Sequence, residues 1–254
     1  MGSDCTTWTF CNFGLLVTGK GERRFLPWLF RELEKSGRCR MHVIGKIRQL
    51  SPMSSPKKRL KIIGTNQAIT DKDFEEIGLP ARQHLWKERA PHKRAFVLLI
   101  DDLEHDRIPR APQVFARYRE ALDRSLGDQK HLAAVHFLVN MMEAYYFTNV
   151  AAINAVLGTQ LVDYPGDVEE IPHPKNELKS EARRIGRSFD EVEDGERILQ
   201  GLDIPHVLSR AETCASLRAL FGWCAAALGE APAEKFCLTS GAYSALTGPQ
   251  IGAL

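Results

Sequence analysis

The hydrophobic pattern changes period several times along the chain, and each change marks an element. In the stretch 93–107 five apolar residues, Phe96 to Ile100, follow one another without a polar break. Such a run predicts a strand covered on both faces, the usual state of a strand in a parallel α/β sheet. Ala133 to Val139, broken only by His136, reads as another buried strand. Trp8 to Val17 reads as an earlier strand and Cys39 to Ile47 as a looser one. Between the strands the spacing becomes helical. Phe25, Leu26, Leu29, Phe30 and Leu33 share one face of a helix over 22–35, and Pro27 lies within its first turns. Val114, Phe115, Tyr118 and Leu122 do the same over 113–125. Asp71 to Glu88 is helical, with an expected interruption at Gly78-Leu79-Pro80.

This alternation of strand and helix implies right-handed crossovers and a mostly parallel sheet. Past Ala151 the pattern is helical only, over 151–157, 175–185 and 213–228. The predicted fold class is therefore α/β. A mostly parallel sheet flanked by helices occupies residues 8–150, and a helical extension, 151–254, packs on it. The small residues beyond Glu230 predict a loose tail.

Composition narrows the setting. No run approaches the roughly 20 apolar residues of a membrane span. The start of the chain lacks a basic segment followed by an apolar one, so no signal peptide is expected. The six cysteines form no CxxC pair, which predicts reduced thiols in a cytoplasmic protein. The net charge of +2 hides an asymmetry: residues 1–95 hold 19 Lys/Arg against 9 Asp/Glu, and the remainder is acidic. Nine basic residues and no acidic one lie between Lys35 and Lys61. This segment, with Lys57, Lys58, Arg59 and Lys61 in a predicted loop, is either a phosphate-neutralising surface for DNA or RNA or a solvated face.

The candidate chemistry sits at strand ends. Asp101, Asp102, Glu104 and Asp106 arrive where the central strand finishes, and open α/β sheets place their sites at that edge. Carboxylates there are ligands for a hard cation, Mg²⁺ or Mn²⁺; the alternative is an acidic loop capping the next helix. Glu143, past the next buried strand, falls on the same edge, and it too has a helix-capping alternative. After the first strand, Gly14 to Lys20 matches G-x-x-x-x-G-K. The next residue is Gly21, where a phosphate loop needs a hydroxyl, and the intervening residues read as strand, so a triphosphate loop is rejected. What remains is a strand-to-helix turn whose amides suit an anion, with Glu22 at the helix start.

Four short pieces, Val17-Thr-Gly-Lys-Gly-Glu22, Ile100-Asp-Asp-Leu-Glu104, Glu143-Ala-Tyr145 and His173-Pro-Lys175, stand in an order that resembles the Toprim fold. More narrowly they resemble the bacterial family catalogued as domain of unknown function 4276. The resemblance implies a Mg²⁺-holding α/β module, distantly similar to overcoming-lysogenization-type nucleases, with an ATPase or other defence-system partner. The first acid of the family's turn falls on Thr18 here, so the resemblance leaves that role to Glu22.

Two functions follow from this reading. One is a metal-dependent nuclease, with Glu22, Asp101, Asp102 and Lys20 catalytic and Glu22, Asp101, Asp102, Glu104 and Glu143 around the metal. The other is a catalytically inactive nucleic-acid-binding or adaptor protein that works with a partner. No G-x-S-x-G motif supports a serine hydrolase.

Overall fold

A computed structural model describes residues 10–48, 71–88 and 90–231. Four strands, β1 (Phe10–Val17), β2 (Cys39–Lys46), β3 (Lys93–Leu103) and β4 (Ala133–Val139), form one sheet in the order β2-β1-β3-β4. Every neighbouring pair is parallel, so the chain is an α/β protein with a parallel sheet, as its pattern predicts. The helices are α1 (Lys20–Leu29), α2 (Arg31–Glu34), α3 (Asp71–Lys87), α4 (Ala111–Leu126), α5 (Val150–Leu157), α6 (Pro174–Arg184), α7 (Glu193–Gly201), α8 (Ile204–Ser209) and α9 (Ala215–Ala227). Among the described residues no helix is long and apolar enough to cross a membrane.

The register brings three strand ends to one edge. Val17 lies opposite Ile100, and Asp102 lies opposite Leu138. The segments leaving β1, β3 and β4 therefore emerge side by side, at the edge where parallel sheets open a crevice.

Successive side chains on a strand point to opposite faces, and the aromatic core fixes which face is which. Phe13 of β1 stacks on Phe96 of β3 at 5.4 Å. Both meet the edge of Trp223 from α9, and His136 of β4 meets it too. The helical portion thus supplies one cover of the sheet. Residues two, four and six along from Phe96 share the α9 side, which puts Asp102 there and Asp101 on the opposite side, under α4.

Two departures from the sequence pattern have packing causes. The break expected at Gly78-Leu79-Pro80 does not occur, and α3 is continuous. A side chain at 78 would begin 2.1 Å from Ser125 Oγ, so Gly78 is where α3 approaches α4. Pro80 lies over Gly45, where a Cβ would meet its ring at 3.4 Å. Tertiary contact outweighs local propensity here. The single helix expected over 22–35 instead breaks at Phe30, between α1 and α2. Pro27 sits in the eighth position of α1, where its missing N–H and its ring disturb the helical ladder. The acidic run 190–196 does start a helix. Asp190 accepts hydrogen bonds from the amides of Val192 and Glu193, and α7 follows.

Trp223 is 1% exposed and touches three strands. Trp223→Ala is expected to lower the unfolding free energy by about 3–5 kcal/mol. Urea denaturation monitored by circular dichroism measures this, and a loss below about 1 kcal/mol would mean that α9 is not part of the core.

Candidate functional site

The turn after β1 is shaped by a glycine. Thr18 and Gly19 connect the strand to α1, and Glu22, in the first turn of that helix, folds its carboxylate back over Gly19. A Cβ on Gly19 would lie 1.8 Å from Glu22 Oε2, so a side chain at 19 would push this carboxylate out of its place. β3 delivers Asp102, half-buried, and its Oδ1 is screened from solvent without a hydrogen-bond partner. After β4 a 3-10 turn, Met142–Thr148, carries Glu143, buried, with Oε2 also unpartnered. Lys175, at the start of α6, places Nζ 3.3 Å from Glu143 Oε1 and 3.9 Å from Glu191 Oε2. Glu22, Asp102, Glu104, Glu143 and Lys175 line one cavity of about 390 Å³, with Tyr146 and Phe25 in its wall.

Like charges gathered in a poorly hydrated space resist ionisation. Burial pushes the Asp102 carboxyl well above the usual carboxylate range. The charges of Glu22 and Glu143 and a hydrogen bond with Glu22 push it the same way, and Lys175 opposes them. Burial also raises Glu143, against the pull of Lys175. For Lys175 itself burial favours the neutral amine, but Glu143, Asp102 and Glu191 outweigh it and hold the ammonium more firmly than usual.

The backbone beside these groups is strained. Asn140 and Met141 both have positive φ, 54° and 75°. Met141, with ψ 163°, occupies a region that glycine normally fills. The conformation is held by Asn140, whose amide donates to Leu103 O and whose Nδ2 donates to Glu169 O. Strain of this kind concentrates at functional sites, and here it aims the turn that presents Glu143.

The residues expected around a metal do not all meet. Glu22, Asp102, Glu104 and Glu143 share the cavity. Asp101 does not line it. Its carboxylate lies on the α4 side, fully buried, where it forms an ion pair with Arg107 and accepts hydrogen bonds from Thr18 Oγ1 (2.8 Å) and Tyr118 OH (2.9 Å). The pleat separates the adjacent aspartates, and Asp101 fastens β3, the turn after β1 and α4 together. Lys20 is the first residue of α1; its side chain, and all of Lys57, Lys58, Arg59 and Lys61, lie outside the described residues. Lys175 was legible as part of a motif but not as a site residue, since only the return of α6 to the sheet edge brings it in.

An all-carboxylate donor set with two unpartnered buried oxygens suits a hard divalent cation. Among the described residues, the ligating side chains whose donor atoms already lie within 4.8 Å of one another are a different trio, His42, His84 and Glu88. The acids of the cavity are more widely set.

The adjacent aspartates should respond oppositely to amidation. Asp101→Asn leaves the buried Arg107 without its counter-charge, and a loss of about 3–5 kcal/mol is expected. Asp102 has a raised pKa when folded, so the folded state binds its proton more tightly than the unfolded chain does. Stability therefore falls as pH rises above the ordinary carboxylate range, and Asp102→Asn removes its share of that fall, leaving the part due to Glu143. Without added metal at pH 8, Asp102→Asn is expected to melt no lower than the wild type, and Asp101→Asn well below it. Thermal melts of both variants at pH 5 and pH 8 test the pair; equal destabilisation would refute the division of roles.

Compared with protein-family models, curated proteins and solved structures, the chain matches none.

Proposed function

We propose that this chain is a metal-dependent phosphodiesterase, a nuclease acting on DNA or RNA. The observation that carries the reading is the convergence of Glu22, Asp102 and Glu143 on one cavity at the carboxyl edge of a parallel sheet, with buried oxygens of Asp102 and Glu143 lacking partners. These three acids would hold Mg²⁺ or Mn²⁺, with Glu104 at the rim. A bound cation supplies Lewis-acid polarisation of a phosphoryl oxygen and acidifies a bound water.

The chain's own groups do the rest. The ammonium of Lys175 balances excess negative charge and attracts a phosphate diester into the cavity. The first amides of α1, around Lys20 and Gly21, offer donors to a phosphate oxygen. Tyr146 and Phe25 wall off bulk water, which strengthens these interactions. The basic segment with Lys57, Lys58, Arg59 and Lys61 would grip the nucleic-acid backbone without reading sequence. Glu22, folded over Gly19, would stand in for the acid that the Toprim-like turn lacks at Thr18. The same resemblance supports a cytoplasmic role in defence against phages or plasmids beside an ATPase or other partner.

One observation favours the second reading, a catalytically inactive nucleic-acid-binding or adaptor protein. Lys175 already sets a cation against Glu143.

Two measurements decide between them. Cleavage of single- and double-stranded DNA and RNA in Mg²⁺ or Mn²⁺ should fall about 100-fold or more in Asp102→Asn and in Glu143→Gln, a loss of roughly 2.7 kcal/mol of transition-state stabilisation. Turnover insensitive to both variants would defeat the mechanism. Cation binding must strip protons from Asp102 and Glu143, whose pKa values are raised, so affinity should increase with pH. Calorimetry in two buffers of different ionisation enthalpy should detect the released protons. Nucleic-acid binding that persists in chelator, with no turnover in any metal, would favour the adaptor reading.

A further inference from the structure

A second cluster lies on the α3 side of the sheet, across the sheet from the face that carries Asp102. His84 and Glu88 are four residues apart at the end of α3, so both project from one side of the helix. His42 comes from β2, an edge strand. Each of the three offers a donor atom, and these atoms all lie within 4.8 Å of one another. In a tetrahedral zinc site the ligand atoms, each about 2.1 Å from the ion, stand about 3.4 Å apart, so side-chain movements of about an ångström close the set.

Several features prepare these groups for a metal. The His84 ring is buried against β1 at Gly14, where a Cβ would fall 2.7 Å from the imidazole. Its Nε2 is 3.2 Å from the carbonyl oxygen of Asn12. The backbone of Phe96 also hydrogen-bonds this ring, and in the tautomer that donates to the Asn12 carbonyl the other nitrogen keeps its lone pair for a metal. Asn12 also donates from Nδ2 to Glu88 Oε2 at 2.9 Å, which orients the carboxylate. His42 Nδ1 is buried and has no hydrogen-bond partner. The two rings meet edge to face at 5.1 Å. Burial favours the neutral form of both imidazoles, the form that ligates.

We propose that His42, His84 and Glu88 form a transition-metal site of the zinc class. Two imidazoles and one carboxylate suit Zn²⁺ and Co²⁺ far better than Mg²⁺, and three protein ligands leave a position for water. The metal would tie the end of α3 to the edge strand β2. His42 and Glu88 are only partly buried, so an ion has access from solvent. The assignment is independent of the acidic cavity and does not rest on the nuclease reading.

Co²⁺ is the probe, because its visible absorption reports both binding and geometry. The full-length protein should saturably bind one equivalent that shows the intense absorption of a four-coordinate site, distinct from the weak absorption of a six-coordinate ion on the carboxylates of the acidic cavity. The double variant Asp102→Asn/Glu143→Gln should keep that signal. His42→Gln and, separately, Glu88→Gln should each weaken Co²⁺ binding at least about 10-fold. Circular dichroism in chelator confirms that each variant is folded. Zn²⁺ should raise the melting temperature of the wild type and not of His42→Gln. Any of three results overturns the assignment: no saturable Co²⁺ signal from the wild type, a signal retained by the combined His42→Gln/Glu88→Gln variant, or a signal lost with Asp102 and Glu143. The first means that the trio is a hydrogen-bonded core cluster, and the third that the ion belongs to the acidic cavity.

Discussion

The pleat at the end of β3 is the constraint on which the site depends. Two aspartates adjacent in sequence must point to opposite faces of the sheet. Asp101 turns to the α4 side, where Arg107, Tyr118 and Thr18 satisfy it. Asp102 turns to the other side, where the charges of Glu22 and Glu143 crowd it and its Oδ1 has no hydrogen-bond partner. A one-residue slip of β3 would exchange the two, burying the cavity's acid under α4 and pointing the ion pair at solvent. The packing of Phe96 on Phe13 and Trp223 and the buried ion pair of Asp101 with Arg107 oppose that slip.

The cavity itself is a cost to the folded chain. Five carboxylates, those of Glu22, Asp102, Glu104, Glu143 and Glu191, line a space shared with the ammonium of Lys175, two of their oxygens lack partners, and Met141 holds a backbone conformation that suits glycine. None of these improves packing. Unsatisfied polar atoms and strain are kept where the surrounding structure over-determines them, and such places are functional sites more often than scaffolding. Gly19 tells the same story, since its missing side chain is the space that Glu22 occupies.

Much of this was legible in the sequence. The apolar run at 96–100 and the stretch 133–139, broken only by His136, read as strands covered on both faces, and the acids that follow them fall on one edge. That reasoning put Asp102, Glu104 and Glu143 on one edge, while Glu22 was singled out at the turn after the first strand. Asp101 could not be separated from Asp102 without knowing which face α9 covers, and that rests on Trp223, more than 100 residues away. Lys175 needed the return of α6. The continuity of α3 through Gly78 and Pro80 was hidden because both residues read as breakers until their neighbours, Ser125 and Gly45, are known. His42, His84 and Glu88 gave no signal, since a strand histidine and a helical His-x-x-x-Glu pair meet only through the packing of α3 on β1 and β2.

The most direct test of the account is a crystal structure of the protein grown with Mn²⁺, with anomalous scattering used to locate the ion. The account predicts an anomalous peak in the cavity, bound by oxygens of Glu22, Asp102 and Glu143, with Asp101 still paired to Arg107. A cavity without Mn²⁺ at saturating concentration, or an ion bound by Asp101 with Arg107 displaced, would contradict it.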